Sequence, residues 1–240
     1  MRDRHAACAS CTGLPLRIIV VTAFALLGVS PAYAGADSAR STVTLEIRAW
    51  SLATPASGDM VRGNDAAPVT VVAFTDYHSS TSNNVARMLQ RLLVHYRDEV
   101  RIVHRYFPDI RLNPHAIRVH EAARCAAEQD GFWPYHDRII NGTPPSDADQ
   151  FLSYAREAGL DGERLLRCLV SGHHAQSVQD DIKEGTRLGV TVTPTVFING
   201  RIIRGALSLE RFKNLIEAEV RHQSADRPLK SSLHESTPNQ

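Results

Sequence analysis

Four hydroxyl side chains follow one another at residues 79–82, in the order Ser79-Ser80-Thr81-Ser82. The apolar, β-branched run at residues 69–75 predicts a strand before them, and apolar residues at helical spacing predict a helix over residues 82–97. The hydroxyls therefore stand in a turn at the N-terminus of a helix. A cysteine at position 79 would have a lowered pKa there and would be a reactive thiolate. A serine hydroxyl stays protonated at neutral pH and cannot exchange disulfides.

The hydroxyl of Ser79 has two possible roles in such a turn. It can cap the helix, because serine is a preferred residue at that position. It can also hydrogen-bond a thiol, carbonyl or carboxylate of a ligand at the helix N-terminus. His78 stands beside it and could act as a base. No aspartate or glutamate partner for His78 is evident from the sequence, which argues against a hydrolase triad.

Two other groups of histidines raise the question of a metal site. His173 and His174 are adjacent, and His120 follows His115 by five residues. A helix presents residues three or four apart on one face, so a spacing of five suits two ligands on one helix poorly. We interpret these histidines as surface and core residues and expect no metal and no cofactor.

Composition and charge restrict the class of protein. The chain has 240 residues, a hydrophobic content of 43% and a formal net charge of +1. This length suits one domain of good size or one domain with an insertion. The near-neutral charge argues against nucleic acid as a partner.

Residues 1–34 have the pattern of a secretory signal. Arginines precede a short apolar core at residues 18–27, and Ala32-Tyr33-Ala34 is a small-x-small cleavage site, so we expect cleavage before Gly35. The alternative is an uncleaved anchor, but the apolar core is far shorter than the roughly 20 residues of a transmembrane helix. We therefore expect a periplasmic or secreted protein with no stable membrane insertion after cleavage.

The four cysteines form two pairs along the sequence. Cys8 and Cys11 lie in the charged region of the signal with no strand before them, and cleavage would remove them. Cys125 and Cys168 remain as an even pair in an exported protein, which favours a structural disulfide over two unpaired buried thiols. A bridge that closes a loop of about 43 residues contributes about 4 kcal/mol in the chain-entropy model.

The order of the elements predicts an α/β fold. The first strand, the helix after it and a strand at residues 100–108 form a βαβ unit, whose strands should be parallel. Near the C-terminus, two strands joined by an Asn-Gly turn at residues 199–200 precede a helix at residues 209–220. Helical patterns fill the chain between these two units, at residues 114–129, 132–140, 147–158, 162–170 and 174–188.

Several short segments, taken in their order and spacing, resemble the DsbA-like thiol–disulfide oxidoreductases, and the resemblance covers about residues 60–220. It implies a thioredoxin-like fold (βαβ…ββα) with an inserted all-helical domain. The matching segments are Gly63-Asn64-Asp65-Ala66-Ala67-Pro68, Phe74-Thr75-Asp76-Tyr77-His78, Tyr106-Phe107-Pro108, Pro114-His115-Ala116, Glu121-Ala122-Ala123-Arg124-Cys125, Phe132-Trp133-Pro134-Tyr135-His136, Val190-Thr191-Val192-Thr193-Pro194-Thr195 and Phe197-Ile198-Asn199-Gly200.

With this fold the chain divides into six segments. Within the second of them we expect an edge strand at residues 42–50 and a loop at residues 51–67. The segments are the signal (1–34), an N-terminal strand and loop (35–68), the first half of the thioredoxin-like domain (69–108), the helical insertion (109–187), the second half (188–221) and a disordered tail (222–240).

The resemblance also assigns the reactive positions. The family's nucleophilic cysteine falls at Ser79 and its resolving cysteine at Ser82, with the dipeptide Ser80-Thr81 between them. The buried acid that handles protons in many relatives falls at Ala73. Both thiols and the acid of a redox site are therefore replaced together.

Two further features of the family map onto later parts of the chain. The loop proline that packs against the reactive turn, cis in the family, falls at Pro194 after Thr193. Some members carry a second disulfide in the helical region, which suits Cys125 and Cys168.

Three functions fit these residues. In the first, which we favour, the chain is a redox-silent module that holds an exported protein or peptide through backbone groups near Thr193 and Pro194. In the second, it is a glutathione-dependent transferase or isomerase resembling the kappa class, in which Ser79 hydrogen-bonds the glutathione sulfur, although the residues between the serines differ from that class. In the third, it is a thiol–disulfide oxidoreductase acting through Cys125 or Cys168, which lie in predicted helices without Cys-x-x-Cys spacing.

Overall fold

The computed structural model describes residues 58–113 and 115–225. Within these residues the chain forms five strands and seven helices. The strands are β1 (Met60–Gly63), β2 (Val69–Thr75), β3 (Val100–Tyr106), β4 (Thr195–Ile198) and β5 (Arg201–Arg204). The helices are α1 (Ser80–His95), α2 (Ala116–Ala127), α3 (Phe132–Ile140), α4 (Ala148–Glu157), α5 (Gly162–Ser171), α6 (Ala175–Arg187) and α7 (Leu209–Ala225).

The strands form one mixed sheet in the order β1-β3-β2-β4-β5. β2 and β3 are parallel, with Val69 beside Val100, and α1 connects them. β1 runs antiparallel to β3, β4 to β2, and β5 to β4. The predicted βαβ and ββα units are therefore present, and the α/β architecture with helices between the two units is confirmed.

β2 is the central strand, and every one of its residues is buried. Its sequence is a continuous apolar run because helices or loops cover both faces of the sheet. On one face Val71 belongs to a core cluster with Leu89 of α1 and Phe212 of α7. On the other face Phe74 clusters with Leu188, which follows α6.

Helices α2 to α6 lie between β3 and β4 in the chain and enclose a second apolar core. Phe132, Ile139 and Leu165 are among its buried residues. Cys125 of α2 and Cys168 of α5 are joined by a disulfide, with their Cα atoms 5.8 Å apart. The predicted disulfide is therefore confirmed, and it fastens two helices of the insertion to each other.

An ion-pair cluster connects the insertion to the sheet. The guanidinium of Arg105, on β3, lies 2.8 Å from a carboxylate oxygen of Asp181 on α6 and 2.8 Å from one of Asp59, which precedes β1. Asp181 also accepts the backbone N–H of Tyr106 at 3.1 Å. Both carboxylate groups are nearly buried, so loss of either partner would leave a charge without compensation in the interior.

Two elements differ from the sequence prediction. β1 lies inside residues 51–67, which we predicted to be a loop. The sequence did not reveal this strand, because its four residues sit at the sheet edge and three of them are only half-buried. Such a strand has no clear alternation of apolar and polar residues, and its pairing with β3 defines it.

The last helix is longer than predicted. α7 continues to Ala225, so residues 222–225 are helical and do not belong to a disordered tail. The last turn of α7 is polar, so the spacing of apolar residues predicted a helix that ended at residue 220.

Several predictions fall outside the described residues. They are the signal at residues 1–34 with Cys8 and Cys11, the edge strand at residues 42–50, Pro114, and the remainder of the tail at residues 226–240. Among the described residues, the helices are all too short or too polar to cross a membrane.

Removal of the disulfide should destabilise the fold. The variant C125A/C168A should lose about 4 kcal/mol of unfolding free energy, because the bridge closes a loop of roughly 40 residues in the unfolded chain. Urea unfolding followed by circular dichroism measures this difference. With a phosphine reductant added to both proteins, the difference should shrink to the loss of side-chain packing. An equal difference with and without reductant would contradict a stabilising bridge.

Candidate functional site

Three chain segments meet at one end of the sheet. β2 and β3 are parallel, so the chain leaves both strands at the same end, and Phe107 donates its N–H to the carbonyl of Thr75 there at 2.9 Å. β4 enters from that end, because it is antiparallel to β2 with Thr195 opposite Phe74. The turn at residues 76–79 is therefore flanked by the loop at residues 107–113 on one side and by the loop at residues 189–194 on the other.

Ser79 is the N-cap of α1. Its backbone is extended, with φ −93° and ψ 110°, and its Oγ accepts the N–H of Ser82 at 3.2 Å. The first turn of α1 contains no acidic residue, so this hydroxyl is the polar group that satisfies the helix terminus. The capping role predicted for Ser79 is thus observed.

Ser82 differs from Ser79 in its environment. It is fully buried, with 0% of its surface exposed, and its Oγ has no hydrogen-bond partner among the described residues. An unpaired buried hydroxyl costs about 1–3 kcal/mol. The two serines therefore do not form a pair of surface hydroxyls, and Ser79 is the one that a ligand can reach.

Asp76 holds the serine turn against two neighbouring segments. Its carboxylate accepts the backbone N–H of His78 at 2.9 Å and that of Asp109 at 3.2 Å, and it lies 3.4 Å from Nε2 of His120 on α2. Burial by itself would raise the pKa of Asp76, but hydrogen bonds from His120 and His78 outweigh burial and hold the pKa well below its usual range. Asp76 is therefore charged at neutral pH.

Below the turn lies a buried group that we call the histidine cluster, formed by Tyr77, His104, His120 and His136. The hydroxyl of Tyr77 is 2.9 Å from Nδ1 of His136. The ring of Tyr77 also stacks on those of His120 and His104, with centroids 4.6 and 5.7 Å away. His120 is a core residue, as predicted. Sequence reasoning missed His104 and His136, because the three histidines come from three different elements.

The three histidines are neutral. Burial lowers the pKa of each of them, and for His136, where the nearby charge of Arg62 adds to burial, the pKa falls to about 3. A neutral imidazole has one N–H, so His120 donates Nε2–H to Asp76. Its Nδ1 has no partner among the described residues, and the same holds for Nε2 of His104.

Ala73 borders a small cavity beside the histidine cluster. It pairs with His104 across the β2–β3 ladder. A cavity of about 20 Å³ is lined by Ala73, Thr75, His104 and His136 among others, and that volume holds about one water molecule. The position that the resemblance assigns to a buried acid is thus an alanine facing neutral bases.

The Thr193–Pro194 peptide bond is cis, as predicted. The carbonyl of Pro194 accepts the N–H of Gly205 at 2.8 Å, and the carbonyl of Val192 accepts the hydroxyl of Thr195 at 2.7 Å. Thr193 stands between these two residues, and neither its N–H nor its C=O has a hydrogen-bond partner in the described part of the chain. One backbone donor and one acceptor are therefore free for a ligand beside the serine turn.

Exposed apolar side chains stand on both loops that flank the turn. Of the six large hydrophobic residues exposed in the described ranges, three are here. Ile110 (44% exposed) and Leu112 (84%) lie in the loop after β3, and Val192 (49%) lies in the loop before β4. The sheet end thus combines free backbone groups with apolar surface.

The structure brings Ser79, Thr193 and Pro194 to one sheet end, whereas Cys125 and Cys168 lie in the helical insertion. His78 does have an acidic neighbour, since its Nδ1 is 3.6 Å from Oδ1 of Asp76. An aspartate whose carboxylate accepts the backbone N–H two residues later forms an Asx-turn. The spacing of Asp76 and His78 is that of an Asx-turn and could have revealed Asp76 as the acidic neighbour. The oxygen of Ser79 is nevertheless engaged as a helix cap.

Comparisons with known proteins agree with this architecture. A family model described as Thioredoxin matches residues 56–218. A thioredoxin-like oxidoreductase from Silicibacter pomeroyi DSS-3 superposes with a TM-score of 0.63 at 22% identity, over 72% of this chain and 96% of that chain. Wolbachia pipientis alpha-DsbA1 superposes with a TM-score of 0.65 at 17% identity, over 74% of this chain and 98% of that chain.

The chain therefore belongs to the thioredoxin family. The structures on which it superposes include a thioredoxin-like oxidoreductase and alpha-DsbA1, in line with the resemblance, and the thioredoxin-like fold with an inserted helical domain is confirmed.

Curated relatives carry another name. Na(+)/H(+) antiporter NhaA of Herminiimonas arsenicoxydans is 29% identical over 163 residues, which is 68% of this chain and 26% of that protein. Na(+)/H(+) antiporter NhaA 3 of Salinispora tropica is 34% identical over 152 residues, 63% of this chain and 23% of that protein. The chain thus spans about a quarter of the length of these relatives.

Acidification should destabilise the protein through the histidine cluster. Each histidine has a folded pKa below its ordinary value of 6.5, so below that pH the unfolded chain binds protons that the folded chain does not. Stability then falls with falling pH, and for His136, whose folded pKa is about 3, the slope approaches about 1.4 kcal/mol per pH unit. His136→Gln should reduce the slope of unfolding free energy between about pH 6 and pH 5 by roughly that amount.

Urea unfolding at a series of pH values measures this slope. His115→Gln is the matched control, because His115 is exposed and its replacement should leave the slope as in the wild type. An unchanged slope in the His136 variant would show that this histidine is not held neutral by the fold.

Proposed function

We propose that this chain is a DsbA-like protein that is redox-silent at the serine turn and binds extended segments of exported proteins or peptides. The observation that carries the proposal is the backbone of Thr193, whose N–H and C=O are free of partners among the described residues. These groups lie beside a turn in which Ser79 and Ser82 occupy the reactive positions of the family.

Redox silence follows from the chemistry of three positions. The N-terminus of α1 would stabilise a thiolate at position 79, but the hydroxyl of Ser79 stays protonated and caps the helix. Ser82 carries a hydroxyl where the family has its resolving thiol, and a hydroxyl cannot form a disulfide. Ala73 provides no acid to transfer protons. These substitutions remove disulfide exchange from the turn and leave the fold in place.

Peptide binding follows from main-chain geometry. An extended peptide alongside Thr193 can donate to its C=O and accept from its N–H, which is recognition by strand addition. Ile110 and Leu112 on one side and Val192 on the other offer apolar contacts to alternate side chains of such a peptide. Because the hydrogen bonds are to main chain, segments of different sequence fit the same site.

Two observations support an exported location. Residues 1–34 have the pattern of a secretory signal. The Cys125–Cys168 disulfide of the insertion is of the kind that persists in oxidising compartments. A periplasmic or secreted protein would also meet the unfolded segments that the proposed site binds.

Cysteines at the two serine positions should restore disulfide exchange. In S79C/S82C, the N-terminus of α1 lowers the pKa of the first thiol. We expect the wild type to reduce insulin no faster than a blank, and the variant to reduce it measurably. The variant should remain slower than redox-active DsbA-like proteins, because Ala73 supplies no acid.

D147C/Q150C is the matched control for S79C/S82C. It has the same spacing at the N-terminus of α4, where Asp147 is the N-cap and both positions are exposed, but it is not at the sheet end. Equal insulin reduction by the two variants would contradict the placement of the site, and reduction by the wild type would contradict redox silence.

Leu112→Asp should weaken binding of an unfolded protein. A fluorescently labelled protein that has been reduced and alkylated serves as the probe, and fluorescence anisotropy gives the Kd. Loss of one apolar contact of this size costs about 1.5 kcal/mol, roughly tenfold in Kd. Val94→Asp is the matched control, since Val94 is 70% exposed but lies near the C-terminus of α1, away from the site.

Ser79→Ala in the same assay separates this proposal from the glutathione alternative. In a peptide-binding module the hydroxyl only caps α1, so the variant should lose about 1 kcal/mol of stability and keep its Kd for the probe. A glutathione-dependent enzyme would need the hydroxyl to stabilise the thiolate of its substrate. Glutathione conjugation by the wild type that disappears in Ser79→Ala would replace our proposal with that alternative.

A further inference from the structure

A second polar cluster lies on the helical insertion, where α5 turns into α6. Oε1 of Glu128, at the end of α2, is 2.6 Å from Nε2 of His173 and 2.9 Å from Nε2 of His174. Sγ of Cys168 is 4.0 Å from the same Nε2 of His173. The four potential ligand atoms all lie within 4.8 Å of one another. We call these four residues the Glu128 cluster.

The hydrogen bonds around His173 place the single N–H of the neutral ring on Nδ1, so its Nε2 carries no proton. The hydroxyl of Ser171 donates to the carbonyl of Cys168 at 2.6 Å, so it must accept from Nδ1–H of His173, also at 2.6 Å. A neutral imidazole has only one N–H. Its Nε2 then directs a lone pair at the carboxylate of Glu128. This contact requires either a second proton on the ring or a cation between the two groups.

A metal cation between these groups fits the arrangement. A metal-ligating histidine normally donates its other N–H to an acceptor in the next layer of the site, as His173 does to Ser171. Two imidazole nitrogens and one carboxylate oxygen are a known ligand set for zinc, with water completing the tetrahedron. Tetrahedral ligands are about 3.3 Å apart at zinc bond lengths, so the atoms must spread by roughly half an ångström. The side chains of Glu128 and His173 are partly exposed, so this shift does not require repacking of the core.

We propose that Glu128, His173 and His174 bind a zinc ion, and that Cys168 becomes the fourth ligand when the Cys125–Cys168 disulfide is reduced. A sulfur within a disulfide is a poor ligand, and the thiolate is a strong one. Reduction by a dithiol or a phosphine adds two electrons and two protons and gives two thiols. Zinc then displaces the proton of the Cys168 thiol, while Cys125 remains a buried thiol.

This scheme couples zinc to the redox state of the insertion. Because the reduced protein has one more ligand, it binds zinc more tightly, and by linkage zinc favours the reduced form. From the sequence we interpreted His173 and His174 as surface or core residues and expected no metal. Gly172, with φ +66°, ends α5 in a left-handed conformation, and His173 and His174 follow it in a turn that faces Glu128.

Isothermal titration with zinc chloride tests the oxidised site. The full chain is used in a C8S/C11S background, so that the N-terminal thiols supply no ligands. We expect one zinc per chain, and an affinity weakened about tenfold or more in E128Q and in H173A. H115A, which removes an exposed histidine elsewhere, should bind zinc as the wild type does. No saturable binding, or binding that survives both substitutions, overturns the site.

Cobalt in place of zinc tests the role of Cys168. C125S and C168S break the same disulfide, so any general loss of stability is common to both. C125S retains the Cys168 thiol and should show a thiolate-to-cobalt charge-transfer band without reductant, together with zinc affinity at least tenfold above that of C168S. The wild type should gain the band only on reduction. Equal affinities and no band in C125S overturn the participation of Cys168.

Discussion

The sheet end of this protein depends on one buried carboxylate. Asp76 accepts backbone N–H groups of His78 and Asp109 and the ring N–H of His120. Because Asp76 stays charged, the turn, the loop after β3 and helix α2 cannot separate without leaving that charge uncompensated. This constraint holds the turn from which α1 begins, where Ser79 is partly exposed and Ser82 is buried.

The interior below the turn contains polar groups, but they are neutral. Burial keeps His104, His120 and His136 unprotonated, and Ala73 leaves only a cavity for about one water molecule beside them. A redox site of this fold needs a thiol, and many relatives also have an acid that exchanges protons with it. The residues here hold the turn in position, as the proposed binding through backbone groups would require.

Helix α2 links the two polar regions of the molecule. Its residue His120 contacts Asp76 at the sheet end, Cys125 forms the disulfide with α5, and Glu128 follows its last turn. The proposed peptide recognition and the proposed metal chemistry at sulfur thus lie in different parts of one chain. The former uses loops between strands, and the latter uses the insertion.

Features that depend on neighbouring residues were determined by the sequence itself, such as the buried run of β2, the Ser79 cap and the Asn-Gly turn. The family resemblance added the cis bond before Pro194 and the disposition of the insertion. β1 was missed because its edge position gives no alternating pattern. The histidine cluster and the Glu128 cluster were decided only by tertiary structure, because each joins side chains from separate elements. Contacts between residues distant in the chain depend on packing, and no local pattern of a single sequence records them.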